Sequence, residues 1–260
     1  MKIKIYNEGI KKSENGLYII DYNENDSTDL IYLENPQLYK SSLGNHTYWF
    51  GYKFNPEVSS KERTEFINYI KRVGENKISD KDLEYLITRP LFTLDKVINL
   101  YNIDAFIYPL SNRSKLVTDM VRVINGWTSR EMVRMSFELV KSIPTEISFD
   151  WDTFNADYGD DLNKYNQMVD YVKDILLPKI HSLDYFSLAH NVKPKYRSYI
   201  TNFINFKDND IDKISSLKEG SNILIVDDIN TSGSTIKEII RKLNKLNSKC
   251  NIFIYTLIGK

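Results

Sequence analysis

Residues 223–235 read ILIVDDINTSGST, and this stretch decides the fold. Its four leading apolar residues, Ile223 to Val226, form a short unbroken run of the kind found in a strand covered on both faces, at the centre of a parallel sheet. Such a strand delivers Asp227 and Asp228 to its carboxyl end, the edge at which open α/β sheets bind ligands. Thr231, Ser232, Gly233, Ser234 and Thr235 then turn into a helix N-terminus. Four hydroxyls around one glycine leave the backbone N–H groups unobstructed and add side-chain donors, and the helix dipole, worth about half a charge, favours an anion there. The segment therefore reads as a phosphate cradle with two carboxylates nearby, placed to accept hydrogen bonds from vicinal hydroxyls or to hold a divalent cation. The plainer alternative is a strand-to-helix turn whose hydroxyls only cap the helix and whose acids are solvated. Capping needs one hydroxyl residue, not four, and does not need paired acids directly after a buried strand. No G-x-x-x-x-G-K-[ST] occurs, so a Walker A loop is excluded, and the glycines of a dinucleotide-binding turn are missing.

Outward from this segment, strands and helices alternate. Upstream, residues 103–109 (IDAFIYP) are another nearly unbroken apolar run, followed by a polar loop at 110–114 and a helix over 115–125 with Leu116, Val117, Met120, Val121 and Ile124 on one stripe. A short helix over 94–101 precedes them. Downstream, 235–244 reads as helix and 251–257 as a final strand. Residues 128–141 are ambiguous: Thr128 with Glu131 suits a capped helix, while Phe137, Leu139 and Val140 before Pro144 suit a strand. Residues 162–181 carry a helical stripe of Tyr165, Met168, Val169, Val172, Ile175, Leu176 and Ile180, and 199–206 alternates as a strand does. The pattern predicts an α/β protein, a doubly wound parallel sheet over 91–260 with a helical insertion or hood at 145–190. Residues 1–90 read as an accessory α+β region, with strands at 2–6, 17–22, 30–33 and 48–54, a helix from Ser59 or Ser60 through Arg72, and a second capped by Ser79 with Asp82 and ending before Pro90.

Composition narrows the function classes. The chain has 260 residues with 35 Lys+Arg against 35 Asp+Glu, a net charge of zero. That argues against an electrostatic grip on nucleic acid or an anionic membrane by the whole surface, and leaves a local basic patch open. No apolar run approaches the roughly 18 residues of a membrane span, and the alternating N-terminal MKIKIYNEGIKK lacks the apolar core of a signal peptide, so the cytoplasm is the expected compartment. The single cysteine, Cys250, excludes an internal disulfide framework. His46, His181 and His190 are too scattered to build a metal site.

With these residues on the page, ILIVDDINTSGST resembles the phosphoribosyl-diphosphate (PRPP) signature of type I phosphoribosyltransferases: four hydrophobics, two acids, then Thr-Thr-Gly-x-Thr or a close variant, with Ser232 where a second threonine is commoner. The resemblance implies that Thr231, Ser232, Gly233, Ser234 and Thr235 bind the 5′-phosphate and that Asp227 and Asp228 address the ribose 2′ and 3′ hydroxyls. It places Ser111, Asn112, Arg113, Ser114 and Lys115 in the loop that binds pyrophosphate. It also places Lys193, Lys195 and Arg197, within HNVKPKYR at 190–197, in a mobile basic loop, where Lys195 and Arg197 join the two acids as catalytic residues. From KPKYRSYITNFINF onward the chain is most similar to the competence-protein-F-like branch.

The chemistry so implied is transfer of the phosphoribosyl group from PRPP to a nucleobase-like nitrogen acceptor with release of pyrophosphate. Mg²⁺ would arrive with PRPP, with Asp227 and Asp228 as its candidate protein contacts and no protein cluster that makes a metal site of its own. The partners are small molecules, with a homodimer as an option, and the hood that selects the acceptor is expected from the first hundred residues or from 145–190. Two other readings stay open: a PRPP or nucleotide sensor that has lost transfer, and a competence-type factor handling single-stranded DNA, which zero net charge disfavours. The loop basics also suit solvated surface charges. Tyr48, Trp49, Phe50 and Tyr52 suit a strand core as well as a base platform, and the acidic, aromatic stretch at 149–161 suits a hood as well as a helix start.

Overall fold

The computed structural model of the protein describes residues 10–12, 18–20, 39–40, 46–54, 58–90, 94, 102–111, 114–127, 135–160, 162–229 and 233–259. The strands expected at 2–6 and 30–33, nearly all of the helix expected at 94–101, and residues 128–134 lie outside them. In chain order the strands are β1 (Ile10–Lys12), β2 (Tyr18–Ile20), β3 (Tyr39–Lys40), β4 (Thr47–Lys53), β5 (Ala105–Pro109), β6 (Met135–Lys141), β7 (Ser148–Phe149), β8 (Ile200–Thr201), β9 (Ile204–Phe206), β10 (Asn222–Ile229) and β11 (Asn251–Gly259). The helices are α1 (Ser60–Ile70), α2 (Asp80–Thr88), α3 (Leu116–Trp127), α4 (Trp151–Tyr158), α5 (Leu162–Asp170), α6 (Leu177–His181), α7 (Leu188–Asn191), α8 (Asp208–Ser215) and α9 (Ser234–Leu246). The fold class is the expected one: α/β, with a mixed sheet of mostly parallel strands and flanking helices.

The chain forms two compact units. The first comprises residues 1–138, 217–231 and 249–260. In its sheet, β10 pairs in parallel with β5 on one side and β11 on the other, β11 pairs in parallel with β4, and β3 closes the edge antiparallel to β4. Strand β10 is central because both of its alternating sets are apolar: Ile223, Leu224, Ile225 and Val226 are all fully buried. Leu224 and Val226 join Phe253, Tyr255 and Leu257 of β11 in one cluster with Phe66 and Ile70 of α1, Leu83 and Leu86 of α2, and Leu116, Met120 and Ile124 of α3. Each buried side chain of this size contributes roughly 1.5–3 kcal/mol relative to exposure. Within the stretch expected to be accessory, β4 thus lies in the same sheet as β10, and its Tyr48, Trp49, Phe50 and Tyr52 are buried core residues.

The local signals that start the first helices operate as read. Ser59 caps α1 in a capping box: its Oγ accepts from the Glu62 N–H at 3.3 Å, and Glu62 Oε2 accepts from the Ser59 N–H at 3.1 Å. Ser79 Oγ accepts from the Asp82 N–H at 3.1 Å and starts α2.

The second unit comprises residues 139–216 and 232–248. Strand β6, whose last residues enter it, pairs antiparallel with β9, and β7 pairs antiparallel with β8. Residues 135–141 are therefore strand, which settles the ambiguity there. Two expectations are corrected. Residues 199–206 are not one strand: Asn202 takes a left-handed conformation (φ +60°), which asparagine tolerates, and β8 and β9 join different sheets on either side of it. Residues 162–181 are not one regular α-helix: Tyr171–Leu176 is a π-turn between α5 and α6, with the Leu177 N–H donating to Val172 O. Pro178 accounts for it. Proline has no N–H to donate and its ring crowds the carbonyl four residues back, so the backbone widens one turn ahead of it.

Gly259 closes the β11 ladder against β4. A Cβ built there would lie 2.4 Å from Phe50 Cδ1 and Cγ. Gly259→Ala is expected to lower unfolding stability by about 1–3 kcal/mol, measurable by urea denaturation. An unchanged midpoint would mean that β11 is not seated against Phe50 as described.

Candidate active site

The pleat of β10 sets where the two acids go. Successive side chains on a strand alternate between faces, so Asp228 continues the face of Leu224 and Val226, the face against α1, α2 and α3. Asp227 continues the opposite face, that of Ile223 and Ile225. Both acids are buried, at 7% and 8% relative exposure. Asp227 lies on the same rung of the parallel ladder as Thr256, whose Oγ1 is 2.8 Å from the Tyr48 hydroxyl.

Asp228 meets a partner that the sequence reading did not anticipate. Lys71 follows α1 directly, and its Nζ lies 2.7 Å from Asp228 Oδ2. Helix α1 is held by the buried Phe66, Tyr69 and Ile70. It ends in a tight reversal: the Val73 N–H donates to Asn68 O at 2.9 Å, and the Arg72 N–H to Tyr69 O with Arg72 at φ +58°. Arg72 pairs with Asp80 in the first turn of α2. Lys71 therefore stands on an anchored segment. Burial works against its charge, but the Asp228 carboxylate, its hydrogen bond and then Asp227 outweigh that and raise the Lys71 pKa above the ordinary lysine value. Nothing in the local sequence marks this lysine. It is one of many at a helix end, and its meaning comes from a contact made far along the chain.

Asp227 is shaped first by burial and then by the like charge of Asp228. The two together push its carboxyl up to about 7, against the opposing pull of Lys71 and of the Asp228 N–H, which donates to Asp227 Oδ1 at 2.9 Å. A carboxyl that changes charge near neutral pH at the end of a central strand is the kind of group found at functional sites.

The residues expected to cradle a phosphate divide between those described and those not. Thr231 and Ser232 lie outside the described residues. Gly233 is left-handed (φ +71°), a conformation that suits glycine because it lacks a Cβ, and its carbonyl accepts the first hydrogen bond of α9 from the Lys237 N–H at 2.8 Å. Ser234 is buried and Thr235 half-buried. The boundary between the two units falls inside the motif, between Thr231 and Ser232.

Of the expected pyrophosphate loop, Asn112 and Arg113 lie outside the described residues. Ser111 and Lys115 are exposed, and Ser114 Oγ accepts from the Leu116 N–H at 3.2 Å, which caps α3. The basic loop is a 3-10 turn, Pro194–Tyr199. Arg197 is used inside the loop: its Nε donates to Val192 O at 2.9 Å and its guanidinium to Ala189 O at 2.7 Å. Lys195 lies over the Tyr196 ring at 4.8 Å, and Lys193 over Tyr171 at 4.8 Å, with Tyr171 and Tyr196 stacked. The acidic, aromatic stretch is helix α4, capped by Asp150, with Phe154 fully buried among Phe149, Trp151, Tyr158 and Tyr199.

The family model of the phosphoribosyl transferase domain matches residues 191–260, which span the basic turn, β10, the motif, α9 and β11. The match agrees with the type I phosphoribosyltransferase resemblance read from the motif and does not single out the competence-protein-F-like branch. Such a domain points in general to phosphoribosyl transfer on a small-molecule substrate. No curated protein matches the chain. Among the described residues, no helix is long and apolar enough to cross a membrane, and no group of three or more His, Cys, Asp or Glu forms a metal site.

Asp227 gives the site a pH signature. Its folded pKa is raised, so the folded state holds its proton more tightly than the unfolded chain, and stability falls as pH rises from about 4 to about 7. Asp227→Asn keeps an acceptor for the Asp228 N–H and removes the buried charge. It should stabilise the protein by about 2 kcal/mol at pH ~8 and by nothing at pH ~4, read as thermal midpoints at the two pH values. Equal shifts at both would show that burial does not perturb this carboxyl.

Proposed function

We propose that the protein is a type I phosphoribosyltransferase that binds PRPP through residues 227–235 and passes its phosphoribosyl group to a nucleobase-like nitrogen acceptor. The observation that carries this reading is the end of β10: two buried acids side by side, one with its pKa raised by burial and one held by a lysine, on the strand that leads into the motif. A purely structural strand-to-helix turn has no use for a buried acid pair at that edge, because leaving water costs a carboxylate several kcal/mol.

In this reading the first-turn N–H groups of α9 and the hydroxyls of Thr231, Ser232, Ser234 and Thr235 hold the 5′-phosphate, and Asp227 and Asp228 accept from the ribose hydroxyls. The acceptor nitrogen forms a bond to ribose C1 as the bond from C1 to the diphosphate oxygen breaks, with the bonding pair leaving on pyrophosphate. Positive charge develops at C1 and the ring oxygen, and the nearby carboxylates favour it; the chain's work is positioning and charge complementarity rather than covalent catalysis. Lys115 and Lys195, together with Arg113, are the proposed contacts of the leaving pyrophosphate. Arg197 acts in this scheme by shaping the basic turn through Val192 and Ala189. The first hundred residues or residues 145–190 are proposed to supply the acceptor-selecting hood, in a protein of the cytoplasm.

Mg²⁺ is proposed as the counter-ion that PRPP brings on its diphosphate. The residues present do not fit a divalent ion held by the protein at the acid pair, since such an ion needs several oxygen ligands and Asp228 Oδ2 already faces the Lys71 ammonium.

The test is a thermal-shift series followed by turnover. PRPP with Mg²⁺ should raise the melting temperature, and pyrophosphate should be released steadily with at least one base of a panel. Asp227→Asn with Asp228→Asn should abolish release, by about a hundredfold or more, while leaving the circular dichroism unchanged. Stabilisation by PRPP without release with any base would make the protein a sensor. No response to PRPP or to nucleoside monophosphates would remove the reading altogether.

A further inference from the structure

Lys71 belongs to no part of the motif, yet its ammonium is in contact with it. Its ammonium approaches Asp228 from the face of the sheet that α1 covers. Of the two side chains Asp228 is the more enclosed, at 11% exposure against 28% for Lys71. Asp228 Oδ2 accepts from the ammonium, and Asp227 Oδ1 accepts from the Asp228 N–H. Two adjacent buried carboxylates carry charge that needs compensation. Beyond the proton that Asp227 takes up, the compensation at such a pair comes from a divalent ion or from a protein cation, and these two exclude one another because a second positive centre would sit in direct contact with the first. The reversal after α1 and the Arg72–Asp80 pair hold the backbone of Lys71 on the side of Asp228, so the ammonium is a built feature of the strand end.

We propose that Lys71 is the resident cation of this acid pair, so that Asp227 and Asp228 engage a ribose without a divalent ion bound to the protein. The proposal rests on the phosphoribosyl-binding reading and deepens it: it assigns a ligand-binding role to a residue of α1's end, outside the matched domain segment. Any divalent ion in the complex is then carried by the diphosphate of the ligand alone. A ligand with a ribose and a phosphate but no diphosphate, ribose 5-phosphate, should bind with no ion at all.

Two measurements test this, on the full chain with Lys71→Met, which keeps the length and removes the charge, and Lys71→Arg, which keeps the charge. The first is Mn²⁺ binding without any sugar phosphate, followed by water-proton relaxation. The wild type and Lys71→Arg should bind no Mn²⁺ up to about 1 mM, a weak-site threshold for oxygen ligands. Lys71→Met should gain a site that Asp228→Asn, added to it, removes. The second is ribose 5-phosphate affinity by calorimetry in EDTA and in Mg²⁺. The wild type should bind equally in both. Lys71→Met should lose about tenfold or more in EDTA and recover part of it in Mg²⁺. Mn²⁺ binding to the wild type that Asp228→Asn abolishes would overturn the proposal, as would Lys71→Met binding ribose 5-phosphate like wild type in EDTA. If ribose 5-phosphate binds neither protein, the phosphoribosyl reading fails, and the Mn²⁺ measurement alone still decides whether Lys71 excludes a divalent ion from the acid pair.

Discussion

The parallel pairing of β10 with strands on both sides is the constraint on which the rest depends. It runs from Asn222 against Asn251 to Ile229 against Ile258, and on the other side from Ile223 against Ala105. Satisfying the backbone of β10 on both edges leaves its side chains only the two faces, and from Ile223 both are apolar until Asp227. The carboxylates therefore arise where the strand runs out of covered length, and each inherits the face that the pleat assigns to it. This is why the acids behave so differently although they are neighbours in sequence: one shares its face with α1 and acquires an ammonium, while the other is enclosed, accepts from the backbone and shifts towards neutrality.

Much of this was legible in the sequence because the signals were local. The apolar runs of β5, β10 and β11, the stripe of α3, and the Ser59 and Ser79 caps each depend on a few consecutive residues, and each element lies within a residue or two of its expected place or somewhat beyond it. The motif also pointed, without any knowledge of packing, to the family whose model matches residues 191–260. What was not legible depended on distant contacts. That β4 lies beside β11 follows from pairing across most of the chain, and a run of Tyr and Trp residues does not say which sheet it joins. The break at Asn202 depends on the Glu238 carboxylate of α9, whose Oε1 accepts from the Asn202 N–H at 2.8 Å, while the same glutamate is held by Arg241. The partner of Asp228 is of the same kind: any of the basic residues on a helix end reads alike until the helix is placed.

The basic turn shows how a cluster of cations in sequence divides on folding. In the sequence Lys193, Lys195 and Arg197 share one basic loop, with Lys195 and Arg197 expected to be catalytic. In the folded chain the arginine fork is spent on two carbonyls, which a planar five-donor group does well, and the two lysines lie over tyrosine rings. A charge over an aromatic face keeps much of its water and its reach, whereas one bonded to two carbonyls is committed to local shape.

The hydrogen bond between Tyr48 and Thr256 joins residues 208 positions apart, and the whole of β4 is paired with β11 in the same way. A ribosome makes β4 early and its parallel neighbour after almost everything else described here. Throughout synthesis that edge of β4 therefore waits with Tyr48, Trp49, Phe50 and Tyr52 unsatisfied, and the order in which the sheet is made is nearly the reverse of the order in which it can be completed. The burden falls on the nascent chain: its most aromatic strand is the one that must avoid sticking to neighbours the longest.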